Sequence, residues 1–228
     1  MKVRQLFDPE SSTYSYLLWN EKDKEAALID SVKEQVEKDT ILINELGLKL
    51  KYLLETHIHA DHITGAGDLR KHFDAKVLVH KNSDSKCADQ LLNNGDVIHL
   101  GSENIKVLYT PGHTNTDISY VIDSAVFTGD TLLIRGSGRT DFQSGNAGDA
   151  YDSITQKLFI LSDSTLVYPG HDYNGFTVST IGEEKQYNPR IGNGKTRKEY
   201  IEIMENMDLP RPKMIEQAVP KNLQCGLS

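Results

Sequence analysis

Long apolar runs are missing from this 228-residue chain, and none approaches the roughly 20 residues that a membrane-spanning helix needs. Cysteine is nearly missing too. Cys87 and Cys225 are the only two, they lie far apart, and neither sits in a C-x-x-C pair. That pattern predicts neither a disulfide framework nor a zinc knuckle, fits a reducing compartment, and leaves both thiols as bystanders rather than nucleophiles. Basic charge is in deficit: 25 Lys and Arg face 33 Asp and Glu, a net charge of −8. This excludes nucleic acid or an anionic membrane as the general partner and requires local basic groups for any anionic substrate. There is no repeat of fixed period and no low-complexity segment. Residues 2–7 already read as a strand, which leaves no room for a signal or transit peptide.

Histidine is also scarce, with eight in the chain, yet three of them fall in Thr56-His57-Ile58-His59-Ala60-Asp61-His62. This H-x-H-x-D-H stretch directly follows the apolar run 50–54. Three imidazoles and a carboxylate at the C-terminal mouth of a strand are costly to bury without a cation to offset them, so metal ligation is the expected role. Three more candidates each follow an apolar run: His113 in Thr110-Pro111-Gly112-His113-Thr114, Asp130 in Thr128-Gly129-Asp130, and His171 in Tyr168-Pro169-Gly170-His171-Asp172-Tyr173. His72, His80 and His99 share no such setting and read as ordinary core or surface residues.

Taken in order, residues 3–7, 14–19 and 26–29 read as an antiparallel meander, broken by the turn-like stretches 8–11 and 20–23. Asp30 closes the third strand. Val32, Val36, Ile43 and Leu46 then recur at helical spacing up to Gly47, a C-cap. A strand at 50–54 delivers the histidine cluster, followed by a short helix at 68–73 and a strand at 75–79. Past the turn Asn93-Asn94-Gly95-Asp96 the pattern returns to strands, at 97–100, 105–109, 118–122 and 125–127. An amphipathic helix is predicted over 152–161 and a last strand over 166–168. Thr196-Arg197-Lys198-Glu199 is a capping box ahead of a helix at 200–207. Residues 208–228 carry three prolines and are expected as an extended tail on a single domain spanning 1–228. Two halves of strands plus helices, each with candidate ligands at strand ends, put the expected site where the halves meet.

The order H-x-H-x-D-H, His, Asp, His resembles the metallo-β-lactamase superfamily over nearly the whole chain. That resemblance implies an α/β fold, an αββα sandwich of two facing mixed β-sheets with helices outside. In the superfamily, one metal would take His57, His59 and His113, a second would take Asp61, His62 and His171, and Asp130 would bridge them. Spacing alone therefore allows either one metal or two.

Longer motifs are more specific. Residues 56–65, 133–143 and 171–181, Asn188-Pro189-Arg190, Ala218-Val219-Pro220 and Cys225-Gly226 are similar to the persulfide dioxygenase family. Ser31 departs from the proline expected after Asp30, in a loop away from the chemistry. The family resemblance implies one non-haem iron(II) per chain, held by His57, His113 and Asp130, with His59, Asp61, His62 and His171 as supporting partners that fix the ligand imidazoles or hold water. It implies oxidation of glutathione persulfide by O2 and water to sulfite and glutathione, a four-electron change that one oxygen molecule covers.

For the substrate, Arg139 matches a basic residue of the related glyoxalase II enzymes and Tyr173 a glutathione-binding tyrosine. The alternative for either arginine is pairing with Asp141 to brace the loop, which for Arg135 weighs equally and for Arg139 stands second to a glutathione carboxylate. The family further implies a homodimer, a separate rhodanese-type sulfurtransferase in the pathway, and a bacterial cytoplasm, or a mitochondrial matrix if a presequence has been removed. The alternative is a binuclear hydrolase of the glyoxalase II type acting on glutathione thioesters. The 57 residues after His171 are short for that family's larger helical C-terminal domain. A non-enzymatic metal-binding or redox-sensing module ranks last, because the ligand set is complete.

Overall fold

The computed structural model describes residues 1–227. The predicted N-terminal meander forms: β1 (Lys2–Asp8), β2 (Thr13–Trp19) and β3 (Glu25–Ile29) pair antiparallel. Parallel strands need a crossover long enough to return the chain to the same edge, and helices supply it. A 3-10 turn (Lys33–Gln35) and α1 (Val36–Glu45) lead from β3 to β4 (Lys49–Leu54), and α2 (Ala66–Phe73) leads to β5 (Lys76–His80). With β6 (Gln90–Leu92), the strands form a six-stranded mixed sheet in sequential order, β3 to β6 running parallel. β3 and β4 therefore end at the same edge, which is why Asp30 and the histidine stretch meet there.

A second six-stranded mixed sheet has the order β7 (Val97–Leu100), β8 (Glu103–Tyr109), β9 (Ile118–Ile122), β10 (Ala125–Gly129), β11 (Leu166–Pro169) and β12 (Ser179–Thr180). Its parallel pair β10 and β11 is bridged by α3 (Ala147–Ser153), which runs on into a π-helical turn at Ile154–Leu158. The helix predicted over 152–161 thus begins earlier, because the Asn146 side chain accepts from Asp149 N and caps the chain there. α4 (Ile181–Tyr187) and α5 (Arg197–Glu205) follow, the latter opened by the predicted Thr196/Glu199 capping box. β6 and β12, only three and two residues long, escaped the sequence reading because so short a segment shows no period.

By internal contacts the chain divides into two compact units. The first comprises Met1–Leu92, Val97–Ile105 and the residues from Arg211 on, and the second comprises Asn93–Asp96 and Lys106–Pro210. The first packs Leu17, Leu28, Ile43, Leu53, Leu69 and Val77 into one core. The second packs Val126, Ile154, Leu158, Val167, Ile181 and Tyr200 into another.

Two expectations need correction. The C-terminal tail is not extended throughout: α6 (Ile215–Asn222) forms within it. Pro210 and Pro212 precede this helix and leave it intact, while Pro220 falls near its end and removes one late hydrogen bond, with Ala218 and Asn222 buried to hold the turn. The return of this segment to the first unit also overturns the reading of the cysteines. Cys87 and Cys225, 138 residues apart in sequence, form a disulfide with their Cα atoms 5.9 Å apart. Sequence distance hid this pairing, and the case for a reducing compartment loses its premise. Among the described residues no helix is long and apolar enough to cross a membrane.

One buried carboxyl sets a pH dependence. Asp39, in the first turns of α1, is 2% exposed, and burial pushes its pKa up to about 7 against a weak opposing pull from Lys38. Between its ordinary value of 3.8 and about 7 the folded chain binds the proton and the unfolded chain does not, so the cost of Asp39 grows as pH rises through that window. Asp39→Asn is expected to raise stability at pH 8 by up to about 4 kcal/mol and to flatten the profile between those limits, as read by urea unfolding. An unchanged profile would refute the assignment.

Candidate metal centre

In the first unit, the turn after β4 is held from the end of β3. Asp30, with φ of 50°, accepts Thr56 N on Oδ1 and the Thr56 hydroxyl on Oδ2, both at 2.7 Å. Because that hydroxyl donates to Asp30, its oxygen accepts from His57 Nδ1 at 3.0 Å, which leaves the lone pair of His57 on Nε2. His59 Nε2 lies 3.2 Å from both Asp30 Oδ1 and Glu55 Oε2. Burial opposes charge on this imidazole, but the two carboxylates outweigh it and hold its pKa well above the ordinary value. Its Nδ1 is buried without a hydrogen-bond partner, as is Nε2 of His62. His62 Nδ1 lies 2.8 Å from Asp61 Oδ2, with Thr13 Oγ1 donating to the same carboxylate oxygen at 3.2 Å. His59, Asp61 and His62 each bring one ligand atom within 4.8 Å of the others.

The second unit brings His113, Asp130 and His171 together. His113 Nδ1 donates to Arg139 O at 2.7 Å, so its Nε2 keeps the lone pair. The turn carrying His113 is fixed by Asp117, which accepts Thr114 N and the Thr114 hydroxyl, both at 2.7 Å. Burial pushes the Asp117 pKa up to about 6, against the pull of His113 and of Thr114. Asp130 leaves β10 with Oδ2 3.7 Å from His113 Nε2 and Oδ1 3.8 Å from His171 Nε2, and that Oδ1 is buried with no hydrogen-bond partner. These separations are too long for hydrogen bonds and suit donors arranged around a cation. An orphaned carboxylate oxygen, imidazoles with lone pairs directed by second contacts, and a mixed N/O donor set all fit a divalent metal.

Two glycines make room for this arrangement. A Cβ on Gly170 would stand 2.7 Å from Asp130 Oδ1, and one on Gly138 would stand 2.9 Å from the His113 ring and 2.5 Å from Asp130 O. Gly170→Ala is therefore expected to displace the Asp130 carboxylate and weaken metal binding by about 10- to 100-fold with the fold kept. Metal titration checks this, and unchanged affinity would show that the carboxylate has room to move.

The predicted substrate residues are placed more plainly. Arg139 lies against its own loop: Nε and Nη2 donate to Asp141 at 2.7 and 2.8 Å, and Nη1 donates to Pro210 O at 2.6 Å. Arg135 braces α4 through Glu183 and Glu184. The Tyr173 ring is 72% exposed and stacks parallel on His171, centroids 5.9 Å apart. His72, His80 and His99 are ordinary, as expected: His80 is buried and caps a 3-10 turn, with burial lowering its pKa to about 4. Missed by the sequence reading were Glu55, Thr56 and Asp117 as holders of the histidines, and the holding role of Asp30. Asn222 was missed as well: it donates to His59 O and His62 O and accepts from Thr64 N, all at 2.9 Å. A polar side chain at a strand end marks the first four in sequence; nothing marks Asn222.

Comparison with known proteins places the chain in a family. The metallo-beta-lactamase superfamily model matches residues 8–171. The mitochondrial persulfide dioxygenase ETHE1 of Mus musculus is 46% identical over 227 residues, covering 99% of this chain and 89% of that protein. Its Homo sapiens counterpart is 45% identical over the same coverage. The chain belongs to the persulfide dioxygenase family of the metallo-β-lactamase superfamily. Within that family, the crystal structure of ETHE1 from Myxococcus xanthus matches with a TM-score of 0.97 at 54% identity, covering 100% of both chains. The two mixed sheets with their helices are thus the metallo-β-lactamase α/β fold.

Proposed function

We propose that this chain is a non-haem iron(II) persulfide dioxygenase that oxidises glutathione persulfide with O2 and water to glutathione and sulfite. The observation that carries the reading is its likeness, over nearly its full length, to persulfide dioxygenases at 45% and 46% identity. On this reading His57, His113 and Asp130 hold one iron. Two imidazoles and one carboxylate would suit iron(II), which when bound would supply the redox chemistry between oxygen and the persulfide.

The chain's own part is orientation. Asp30 acting through Thr56 keeps the lone pair of His57 on Nε2, and Arg139 O does the same for His113, so that each would be ready to hold the ion. His59, Asp61, His62 and His171 act as supporting partners that fix these rings or hold water. Arg139 and Tyr173 take the glutathione moiety: the side chain of Asp141 is 57% exposed, so a substrate carboxylate can replace it at the guanidinium, while the exposed Tyr173 ring stands beside His171. Arg139→Ala is expected to raise the KM for the persulfide about tenfold or more while metal content stays at the parent level. Unchanged saturation kinetics would refute that role. The reading carries with it a homodimer, a separate rhodanese-type sulfurtransferase, and a glutathione-containing compartment, either bacterial cytoplasm or mitochondrial matrix.

The test is oxygen consumption by the purified, iron(II)-loaded chain on adding glutathione persulfide, with sulfite measured in the same samples. One sulfite formed per oxygen consumed is the expected result. No uptake by protein shown to retain iron would overturn the reading, and a glutathione thioester would then test the binuclear hydrolase.

A further inference from the structure

The C-terminal segment grips the histidine stretch from within the first unit, and the grip is stapled. Besides the three bonds of Asn222, Gly67 N donates to Cys225 O at 2.8 Å and Lys33 Nζ donates to Gly226 O at 2.7 Å. Gly226 packs so tightly that a Cβ would stand 1.9 Å from Thr64 O. Three residues past Asn222, the Cys87–Cys225 disulfide fastens this segment to the loop between β5 and β6, where Lys86 N also donates to Leu223 O at 2.9 Å. A cavity of about 10 Å³ separates the staple from the metal turn, lined by Glu55, His57, Ile58, Thr64, Asn222 and Cys225. It has room for about one water, so movement of the staple reaches His57 across very little slack.

The two sulfurs are not equivalent. Cys225 is 2% exposed, whereas Cys87 is half-buried beside exposed Lys86 and accepts, through its carbonyl, from Arg70 Nη1 at 2.7 Å. Arg70 is shared with Asp89 at 3.2 Å. An attacking thiolate therefore meets Cys87 first.

We propose that Cys87–Cys225 is a thiol-exchange site, taking low-molecular-weight thiols of the glutathione class, that latches the C-terminal segment onto the histidine stretch. A thiolate attacks Cys87 Sγ, forming a mixed disulfide and expelling the Cys225 thiolate, which takes up a proton. A second thiolate attacks the sulfur of the bound small thiol and releases Cys87. Two small thiols are oxidised to one small disulfide while the protein disulfide is reduced to two thiols, and a small disulfide runs the sequence backwards. The latch does not rest on the proposed reaction, although the thiol product of that reaction belongs to the class that opens it.

The test equilibrates the purified full chain in glutathione buffers of graded thiol-to-disulfide ratio. Free thiols are counted by alkylation and intact mass, with amide exchange over residues 57–64 and the melting temperature followed in parallel. The expected result is that two thiols appear together while the fold persists. Exchange over 57–64 should rise about tenfold, and the melting temperature should fall by about 5–15 °C. Cys87→Ser/Cys225→Ser, which keeps no thiol, should show the open-state exchange at every ratio and no response to glutathione, while Asn222→Ala should show it even with the disulfide closed. Thiols already free in air-equilibrated protein, opening without a change over 57–64, or a glutathione response of that exchange retained in the double variant would each overturn the proposal.

Discussion

Replacing Asp130 with alanine is expected to strip the metal from the protein and to lower oxygen uptake by more than about 100-fold. Loss of an outer partner alone typically costs 10- to 100-fold in metal affinity, and on the proposed reading Asp130 is a direct ligand. Its Oδ2 lies 3.7 Å from His113 Nε2 and its Oδ1 3.8 Å from His171 Nε2, and Oδ1 has no hydrogen-bond partner to lose. Removing the carboxylate leaves two imidazoles without their anion, a poor host for a divalent ion. The backbone should survive, since Gly138 N bonds Asp130 O at 2.7 Å whatever the side chain is. Asp130→Asn separates charge from volume. It keeps the shape, loses the anion, and should lose the metal as well. Metal content after gel filtration, with circular dichroism to show the fold, decides the matter. A variant that kept one iron per chain and turned over would sink the assignment.

The candidate ligands of both units were legible because they follow a local rule: apolar strand, abrupt stop, then His or Asp. The H-x-H-x-D-H stretch, His113, Asp130 and His171 all obey it. What holds them was legible only in part. Asp30 stands out as the end of a strand, but its partner Thr56 lies 26 residues away, and only the parallel pairing of β3 with β4 brings them together. The bonds from Asn222 to residues 59, 62 and 64 cross about 160 residues, and the disulfide crosses 138. Composition and periodicity are blind to such contacts because both measure neighbours along the chain. The same blindness made an extended tail of 208–228, where Pro220 argued against a helix that burial of Ala218 and Asn222 stabilises. Arg139 illustrates a different limit, since charge alone could not say that Asp141 already occupies its guanidinium.

Asp30→Ala is expected to be the most destabilising single change near the site, by about 3–5 kcal/mol, because it removes one partner of a buried charged pair and leaves the other behind. Asp30 is 1% exposed and His59 2%. Without Asp30, the His59 ring keeps only Glu55 as its counter-charge, and the Thr56 N–H and hydroxyl lose their acceptors inside the protein. For a chain of this size the melting temperature should drop by roughly 6–20 °C. Asp30→Asn is the sharper probe. Asparagine tolerates the positive φ of 50° and keeps one acceptor oxygen for Thr56, so it loses the charge facing His59 and one of the two Thr56 hydrogen bonds. About half the destabilisation should then remain. The pH dependence fixes the source: the folded pKa of His59 lies well above its ordinary 6.5, so the stabilisation is fully present below 6.5 and is lost as pH rises through the raised value. In metal-free protein the gap between parent and Asp30→Asn should therefore be widest in the acidic arm of that range and narrow above the folded pKa. A gap that did not change with pH would mean that the Thr56 hydrogen bonds, rather than the His59 charge, account for the stability contributed by Asp30.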